Sequence, residues 1–504
     1  MQIVKSNLDK LFDEIELASK SNIGSTQLFR VNKNLYLKRE DLQLTHSFKI
    51  RGAYNSISRI KKDKLKDGIL TASAGNHAQG VAYASKKLGI KATIVMPVTT
   101  PTIKISAVKK YGADVILFGN NYSEASDYSK KIAKETKQVY IHPFDDYLVM
   151  AGQGVIAKEI LEELPNCKYI FVPVGGGGLL AGILAYVKTI NKDIVVVAVE
   201  PEDSACLNIA LKNGRPTTLE HVGIFADGVA VKRIGTKTFS IIKDLIDVSI
   251  TVSTDQICAA IADIYDLTRT VVEGSGALAV AGYNKLSKDS NLNLNNLETV
   301  CILSGANLSF EKLQFIAERN LIGSGRELLL NIELKEEAGS LKNLVNKCLS
   351  GINITQFSYR KNDSKKAQIL IGLTPNNEKA HQRLLEKLDK NEYSFTNLSN
   401  NEVAKEHLRH MLSGHSKDRS KIEEFFNFNF PEKIGALSEF LEIINDINIS
   451  LFNYRGLGGD TANILIGLEY DLDKTNHFKE ILNNLTKKGF SFKRIDDQTK
   501  SLID

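Results

Sequence analysis

The sequence predicts an α/β protein built in two unlike parts, and three observations predict it. Short β-branched runs alternate with helical segments over residues 1–322, glycine-rich loops stand where strands hand over to helices, and the chain after residue 322 repeats itself. In the first part the strand-length runs are 68–73, 92–97, 114–118, 169–174, 193–200 and 299–303. Apolar runs in alternation with helices predict a mainly parallel sheet covered on both faces. Between them lie periodic stretches such as 78–88, which Gly89 ends at a C′ position.

The second part is a duplication. Ile352-Asn353-Ile354 followed by Phe357-x-Tyr359-Arg360 recurs 95 residues later as Ile447-Asn448-Ile449 followed by Phe452-x-Tyr454-Arg455. The ILIGL of 369–373 recurs at the same offset at 464–468, and Glu336-x-x-Gly339-x-Leu341 recurs 96 residues on as Glu432-x-x-Gly435-x-Leu437. Matches in constant order and at nearly constant spacing imply a duplicated unit of roughly 70 residues, here 326–397 and 421–495. Each copy reads strand, turn, amphipathic helix, strand, strand, helix, strand. The connector 398–420 holds His407, His410 and His415; without cysteines or clustered carboxylates these read as a polar helical link rather than a metal site.

Composition narrows the class. At 43% hydrophobic and 25% charged residues the chain of 504 is ordinary for a globular protein. No apolar run approaches the ~18 residues that span a bilayer, and the first residues turn polar too soon for a signal peptide. A soluble cytoplasmic protein is expected. The net charge of +6 is spread in short pairs such as Lys61-Lys62 and Lys365-Lys366, so no basic stripe for nucleic acid forms. Cys167, Cys206, Cys258, Cys301 and Cys348 make no CxxC pair and are expected as buried, reduced thiols.

Three segments carry chemistry. In Ser47-Phe48-Lys49-Ile50-Arg51-Gly52-Ala53, Lys49 is framed by apolar and small residues. A lone lysine is usually a surface charge; one desolvated there has a depressed pKa and is a nucleophile able to form a Schiff base. The second segment, Ser73-Ala74-Gly75-Asn76-His77, follows a strand and opens a helix, which suits an anion such as a substrate carboxylate; Ser73 or Asn76 acting as an ordinary N-cap explains it equally. The third, Val174-Gly175-Gly176-Gly177-Gly178-Leu179, lets the main chain wrap a phosphate at a helix N-terminus. Gly176-x-Gly178-x-x-Ala181 also fits a dinucleotide fingerprint, with Glu200 as the ribose-binding acid. That reading leaves Lys49, the 73–77 loop and the duplication unexplained, whereas a framed lysine, an anion loop and a monophosphate cradle together suggest pyridoxal phosphate.

At this point the chain resembles a known family. SFKIRGA at 47–53, SAGNHAQG at 73–80, GGGGL at 175–179, FADGVAVKRIG at 225–235 and LSGAN at 303–307 resemble the fold-type II pyridoxal-phosphate enzymes of the threonine dehydratase group. The duplicated part is similar to the paired ACT-like α+β regulatory domains of the biosynthetic, isoleucine-controlled form. The resemblance implies an open, two-lobed, mainly parallel catalytic domain over 1–322. It implies that Lys49 bonds the cofactor covalently beside Phe48, and that Asn76 bonds its phenolic oxygen. Gly175, Gly176, Gly177, Gly178 and Leu179 would bind its phosphate. Ser73, Gly75, Asn76 and His77 would take the substrate carboxylate, although the His77 side chain is equally suited to packing. Ser304 would face the pyridine nitrogen, and a hydroxyl there favours expelling a β-substituent over transamination.

The implied reaction converts L-threonine, and L-serine beside it, to the 2-oxoacid and ammonia, with Lys49 taking the α-proton and the cofactor phosphate protonating the leaving hydroxyl. The resemblance further implies isoleucine as inhibitor, valine as activator and a homotetramer. The Phe357/Tyr359 and Phe452/Tyr454 pairs are candidate effector contacts, though their spacing is equally that of ordinary strand residues; 447–449 and 435–437 read as core. The two modules are expected to pair edge to edge. Gly274-Ser275 replaces the Pro-Ala usual in relatives, which predicts a looser turn and demotes Glu273 as a site residue. With Cys206 six residues after Glu200, where some relatives place an Asp, no metal site is expected. Serine dehydratase, a racemase, threonine synthase and a non-catalytic amino-acid sensor are the rival readings.

Overall fold

The computed structural model describes residues 2–503 apart from 22, 289–293, 336–342, 350–351, 362–365, 376–377, 407–420, 432–438, 441–442, 445–446 and 456–460. The chain divides into two compact units, Met1–Lys312 and Leu313–Asp504.

The first unit is built on two sheets. In chain order its strands are β1 (Leu28–Arg30), β2 (Leu35–Arg39), β3 (Ile69–Ala72), β4 (Ala92–Met96), β5 (Asp114–Leu117), β6 (Val139–Tyr140), β7 (Tyr169–Pro173), β8 (Val195–Pro201), β9 (Val248–Val252) and β10 (Thr299–Leu303). One sheet runs β1-β2-β10-β7-β8-β9 and the other β5-β4-β3-β6. Every pairing is parallel except the β1–β2 edge. All six predicted strands form, within a residue or two of their expected ends. The helix Asn76–Leu88 ends on Gly89, whose φ of 69° puts it in the left-handed cap that the sequence marks.

The larger sheet buries its core against the helices Tyr147–Glu163 and Gly178–Ile190. The smaller packs against Lys49–Ser58 and Asn76–Leu88 through Ile50, Ile57, Val81 and Ile94. Helix Lys49–Ser58 touches helix Tyr147–Glu163 so closely that a Cβ on Gly152 would lie 2.6 Å from the Arg51 carbonyl. Glycine at 152 is therefore a condition of the contact. The contact is fastened by charge: Arg51, 4% exposed, holds Glu40 with two hydrogen bonds of 2.8 Å and Glu159 with bonds of 2.7 and 2.8 Å. Lys38 adds a 2.6 Å bond to Glu159. This cluster explains the strand that periodicity does not show: in β2, Lys38 and Arg39 are buried as ion-pair partners rather than as apolar residues.

The second unit holds two four-stranded antiparallel sheets of equal design. The first runs β12 (Asn353–Lys361), β13 (Lys366–Thr374), β11 (Leu328–Lys335), β14 (Phe395–Asn397). The other runs β16 (Asn448–Arg455), β17 (Thr461–Asp471), β15 (Lys421–Pro431), β18 (Ser491–Arg494). The repeated ILIGL lies in β13 and β17, and the register slips between Ile354 and Gln356 in one copy and between Ile449 and Leu451 in the other. Amphipathic helices Glu378–Lys390 and Thr475–Lys487 cover one face of each sheet through Leu384 and Leu388, and through Phe478, Ile481 and Leu485. The expected edge-to-edge pairing is corrected: among the described residues no strand of one sheet pairs with the other. The sheets meet by their opposite faces, through Leu329, Leu370, Phe425 and Leu465. Consecutive leucines in β11 supply both faces, with Leu328 and Leu330 in one core and Leu329 in the other. The motifs at 336–341 and 432–437 and the histidines His407, His410 and His415 lie outside the described residues.

Replacing Arg51 by Met leaves the buried Glu40 carboxylate without its bidentate partner and Glu159 with Lys38 alone, so Arg51→Met should cost roughly 3–5 kcal/mol and lower the urea midpoint followed by circular dichroism. Burial opposes the Glu40 charge, but Arg51, Lys38 and Thr26 outweigh it and hold this carboxyl below its ordinary 4.5. A depressed carboxylate contributes stability that is present above its unfolded pKa and lost as pH falls through the folded value. Stability should therefore decline in acid below about pH 4.5, less steeply in Glu40→Gln. An unchanged midpoint in Arg51→Met would contradict the role given to the cluster.

Candidate active site

A cavity opens between the C-terminal ends of the two sheets of the first unit, where strand-to-helix loops converge. Phe48, Lys49, Asn76, Gly175, Gly176, Gly177, Gly178, Leu179 and Ser304 all line it. The fold thus gathers into one place residues drawn from four loops. Lys49 is the first residue of its helix, and its Nζ sits 5.2 Å above the Phe48 ring. Burial pulls its amine down from 10.5 to about 8, against the opposing pull of the Glu273 carboxylate.

The glycine loop links β7 to the helix Gly178–Ile190, so the first free N–H groups of that helix stand at the cavity wall. Gly177 has φ of +88° and caps the helix. The neighbours leave no room for side chains: a Cβ on Gly176 would overlap the Phe144 ring, and one on Gly175 would lie 2.9 Å from the Val229 Cα. A bare main chain at a helix N-terminus, facing a buried amine, fits a phosphate-bearing aldehyde cofactor.

The loop before helix Asn76–Leu88 differs in detail from a capped helix end. Its N-cap is Gly75 and no side chain caps it; Ser73 Oγ instead accepts from the Gly75 N–H at 3.2 Å. Ser73, Gly75 and His77 are not among the residues that line the cavity. His77 is 3% exposed, its Nε2 lies 3.4 Å from the Ile141 carbonyl, and burial together with Lys49 pushes it down to about 3. The ring is neutral at any physiological pH.

Glu273, demoted on sequence, is corrected. Its carboxylate lines the cavity, takes a 2.7 Å hydrogen bond from Asn76 Nδ2 and a short one from Ser275 Oγ. Burial and the nearby Asp227 raise its pKa, whereas Lys312 and Lys104 overcome burial at Asp227 and lower it. Lys104 Nζ is 2.7 Å from that carboxylate. Nor is the turn loosened: helix Gly274–Leu286 starts directly after Glu273, and Ser275 supplies the hydroxyl that holds it. Ser304 Oγ donates to the Ser275 carbonyl at 3.1 Å. Asn307, inside the quoted LSGAN but given no role, donates to Asn76 Oδ1 at 2.7 Å. Phe144 had no sequence signal at all, whereas Gly228, Val229 and Val231 of the lining belong to the FADGVAV motif.

Glu200 has another task than binding ribose. Its carboxylate is fully buried and accepts from the N–H groups of Leu207 and Asn208 at 2.7 and 2.8 Å, closing the N-terminus of helix Cys206–Asn213. Burial lifts it to about 7. Cys206 Sγ donates to the Gly175 carbonyl at 3.3 Å, and all five cysteines are free and buried. In the second unit the register sets Phe357 opposite Ile371, Tyr359 opposite Ile369, Phe452 opposite Ile466 and Tyr454 opposite Ile464. The side chains of those four candidates lie outside the described residues.

Comparison with known proteins gives a consistent result. Residues 20–305 match the family described as pyridoxal-phosphate dependent enzyme. Residues 318–408 and 415–501 match the C-terminal regulatory domain of threonine dehydratase. The chain is 42% identical to the biosynthetic L-threonine dehydratase IlvA of Haemophilus influenzae over 94% of this chain and 90% of that protein. It is 42% identical to that of Escherichia coli over 90% of this chain and 88% of the relative. Among solved structures, the processed form of threonine deaminase isoform 2 from Solanum lycopersicum superposes with a TM-score of 0.58 at 42% identity, covering 62% of this chain and 93% of that one. Maize serine racemase superposes at 0.57 with 31% identity, covering 62% and 98%.

The amine sets a pH dependence. In cofactor-free protein the rate at which added pyridoxal phosphate bonds to Lys49 should rise through a midpoint near pH 8, because only the unprotonated amine attacks. Glu273→Gln removes the charge that pulls this value up, so its midpoint should move lower. A wild-type midpoint near the ordinary 10.5 would refute the desolvation of Lys49.

Proposed function

Because the chain belongs to the pyridoxal-phosphate-dependent threonine dehydratases, we propose that it catalyses the deaminating β-elimination of L-threonine to 2-oxobutanoate and ammonia. L-Serine, one methyl smaller, is a second substrate. The observation that carries this reading is a single cavity in which the buried Lys49 amine faces the glycine loop, Asn76 and Ser304. Pyridoxal phosphate, when bound, supplies an electron sink that makes the α-proton of an attached amino acid removable.

The chain's own residues do the rest. Lys49 would hold the cofactor through its amine and, with substrate bound, would accept the α-proton at Nζ; an amine near 8 is matched to that exchange at neutral pH. Gly175, Gly176, Gly177, Gly178 and Leu179 bind the phosphate by main-chain N–H groups, and Phe48 and Phe144 wall the cavity. Asn76 would donate to the cofactor's phenolic oxygen, and Ser304 would meet the pyridine nitrogen with a hydroxyl rather than a carboxylate, which would favour loss of the β-hydroxyl. Ser73, Gly75, Asn76 and the first turn after them take the substrate carboxylate. One water leaves with the β-hydroxyl and one returns on hydrolysis, so threonine balances against the 2-oxoacid and ammonia.

The regulatory half binds an amino-acid effector. Isoleucine, chemically downstream of 2-oxobutanoate, is the inhibitor proposed, with valine as an opposing ligand, and Phe357, Tyr359, Phe452 and Tyr454 are the candidate contacts. Such a ligand acts only through its differential affinity for two states. A cytoplasmic homotetramer is part of the proposal, on the family resemblance; among the described residues no helix is long and apolar enough to cross a membrane.

With pyridoxal phosphate added, purified protein should release 2-oxobutanoate from L-threonine and do so more slowly with isoleucine. Lys49→Ala should lower turnover by at least about a thousand-fold. Steady turnover in Lys49→Ala would refute its role, and turnover indifferent to isoleucine would refute the effector while leaving the chemistry standing.

A further inference from the structure

The polar wiring of the cavity starts at a backbone carbonyl. The Thr45 carbonyl can only accept, and an Asn307 side-chain nitrogen lies 2.8 Å from it. That same nitrogen lies 2.7 Å from the Asn76 side-chain oxygen. The carbonyl thus settles which end of Asn307 is the amide nitrogen, and Asn307 settles which end of Asn76 is the oxygen. The other end of Asn76 donates to Glu273 Oε1 at 2.7 Å. Turning the Asn76 amide over would set two NH2 groups against each other at one end and a carbonyl against a carboxylate at the other. Two hydrogen bonds would be exchanged for two repulsions.

Asn307 also shares a frame with the nucleophile. Gly305 pairs with Ser47 in an isolated antiparallel bridge, the Phe48 N–H donates to the Ser304 carbonyl at 3.1 Å, and the Ala306 N–H donates to the His46 carbonyl at 2.9 Å. Asn307, Ser304 and Lys49 therefore move as one piece. Of the two N–H bonds on Asn76 Nδ2, Glu273 takes one, and Asn76 lines the cavity with Lys49.

We propose that Asn307 is a positioning residue that, anchored on the Thr45 carbonyl, locks the Asn76 amide so that its remaining N–H is the group offered to the phenolic oxygen of the bound cofactor. The proposal rests on the pyridoxal phosphate reading above and gives a role to a residue that itself stays out of the cavity lining. Hydrogen-bond donation to that oxygen favours the unprotonated lysine–cofactor link. Loss of the donor therefore raises the pH at which the visible band titrates.

The test is a spectroscopic pH titration of the holoenzyme and of Asn307→Ala, Asn76→Ala and the double variant. Asn307→Leu, close to Asn in size, covers the case in which Asn307→Ala does not fold. The expected result is an upward shift of the midpoint by about one pH unit, a tenfold change in the protonation equilibrium, in each single variant. The double variant should shift no further than either alone. An unmoved midpoint in Asn307→Ala or Asn307→Leu, while Asn76→Ala shifts, would overturn the proposal, as would shifts that add. An Asn76→Ala midpoint at the wild-type value would overturn it by removing the donor it depends on. A wild-type holoenzyme without any visible band would sink the cofactor reading itself, and the proposal with it.

Discussion

An ammonium group is costly to bury, and the first unit is organised around doing so at Lys49. The half-buried lysine lies in the cavity among the loops of both sheets, with the Glu273 carboxylate as the charge that partly compensates its desolvation. Desolvation wins over that attraction, which is why the amine falls to about 8 instead of rising above 10.5. Nothing in a short helix could hold such a residue in place unaided. The restraint comes from two residues further on, where Arg51 ties the helix to Glu40 and Glu159, and from Gly152, which lets the neighbouring helix backbone come close. The lysine nucleophile is thus held by a cluster of charges that begins two residues along its own helix.

The carboxylates around the cavity divide the labour. Asp227 is kept ionised by Lys104 and Lys312, and its charge in turn makes ionisation of Glu273 harder. Glu273 answers with hydrogen bonds from Asn76 and Ser275, so it works as an acceptor that orients other groups more than as an acid. Ser275 serves both sides, giving its hydroxyl to Glu273 and its carbonyl to Ser304. Ser275 is consequently part of the wiring around the lysine.

Much of the fold was legible because its signals are local. Apolar runs predicted six of the first unit's strands (β3, β4, β5, β7, β8 and β10), Gly89 marked a helix end, and the 95-residue offset between the two ILIGL segments revealed the duplication. The strands β1, β2, β6 and β9 were not legible: they are short edge pieces or, in β2, carry Lys38 and Arg39 whose burial depends on partners far away in sequence. The same division holds at the site. Lys49, Asn76 and the glycine loop sit in segments whose chemistry shows in consecutive residues. Glu273, Asn307 and Phe144 act through contacts 197, 231 and tens of residues away, which no motif spacing encodes. The face-to-face meeting of the two regulatory sheets was hidden for a related reason: a strand apolar on both faces does not say which neighbour covers the second one.

The covalent role of Lys49 is tested most directly by reducing the holoenzyme with borohydride and locating the fixed cofactor by peptide mass mapping. Label confined to the peptide that contains Lys49, absent when Lys49 is replaced, is the result expected of an amine buried in this cavity. Label on another lysine, or none at all in a protein that shows the visible band, would contradict it.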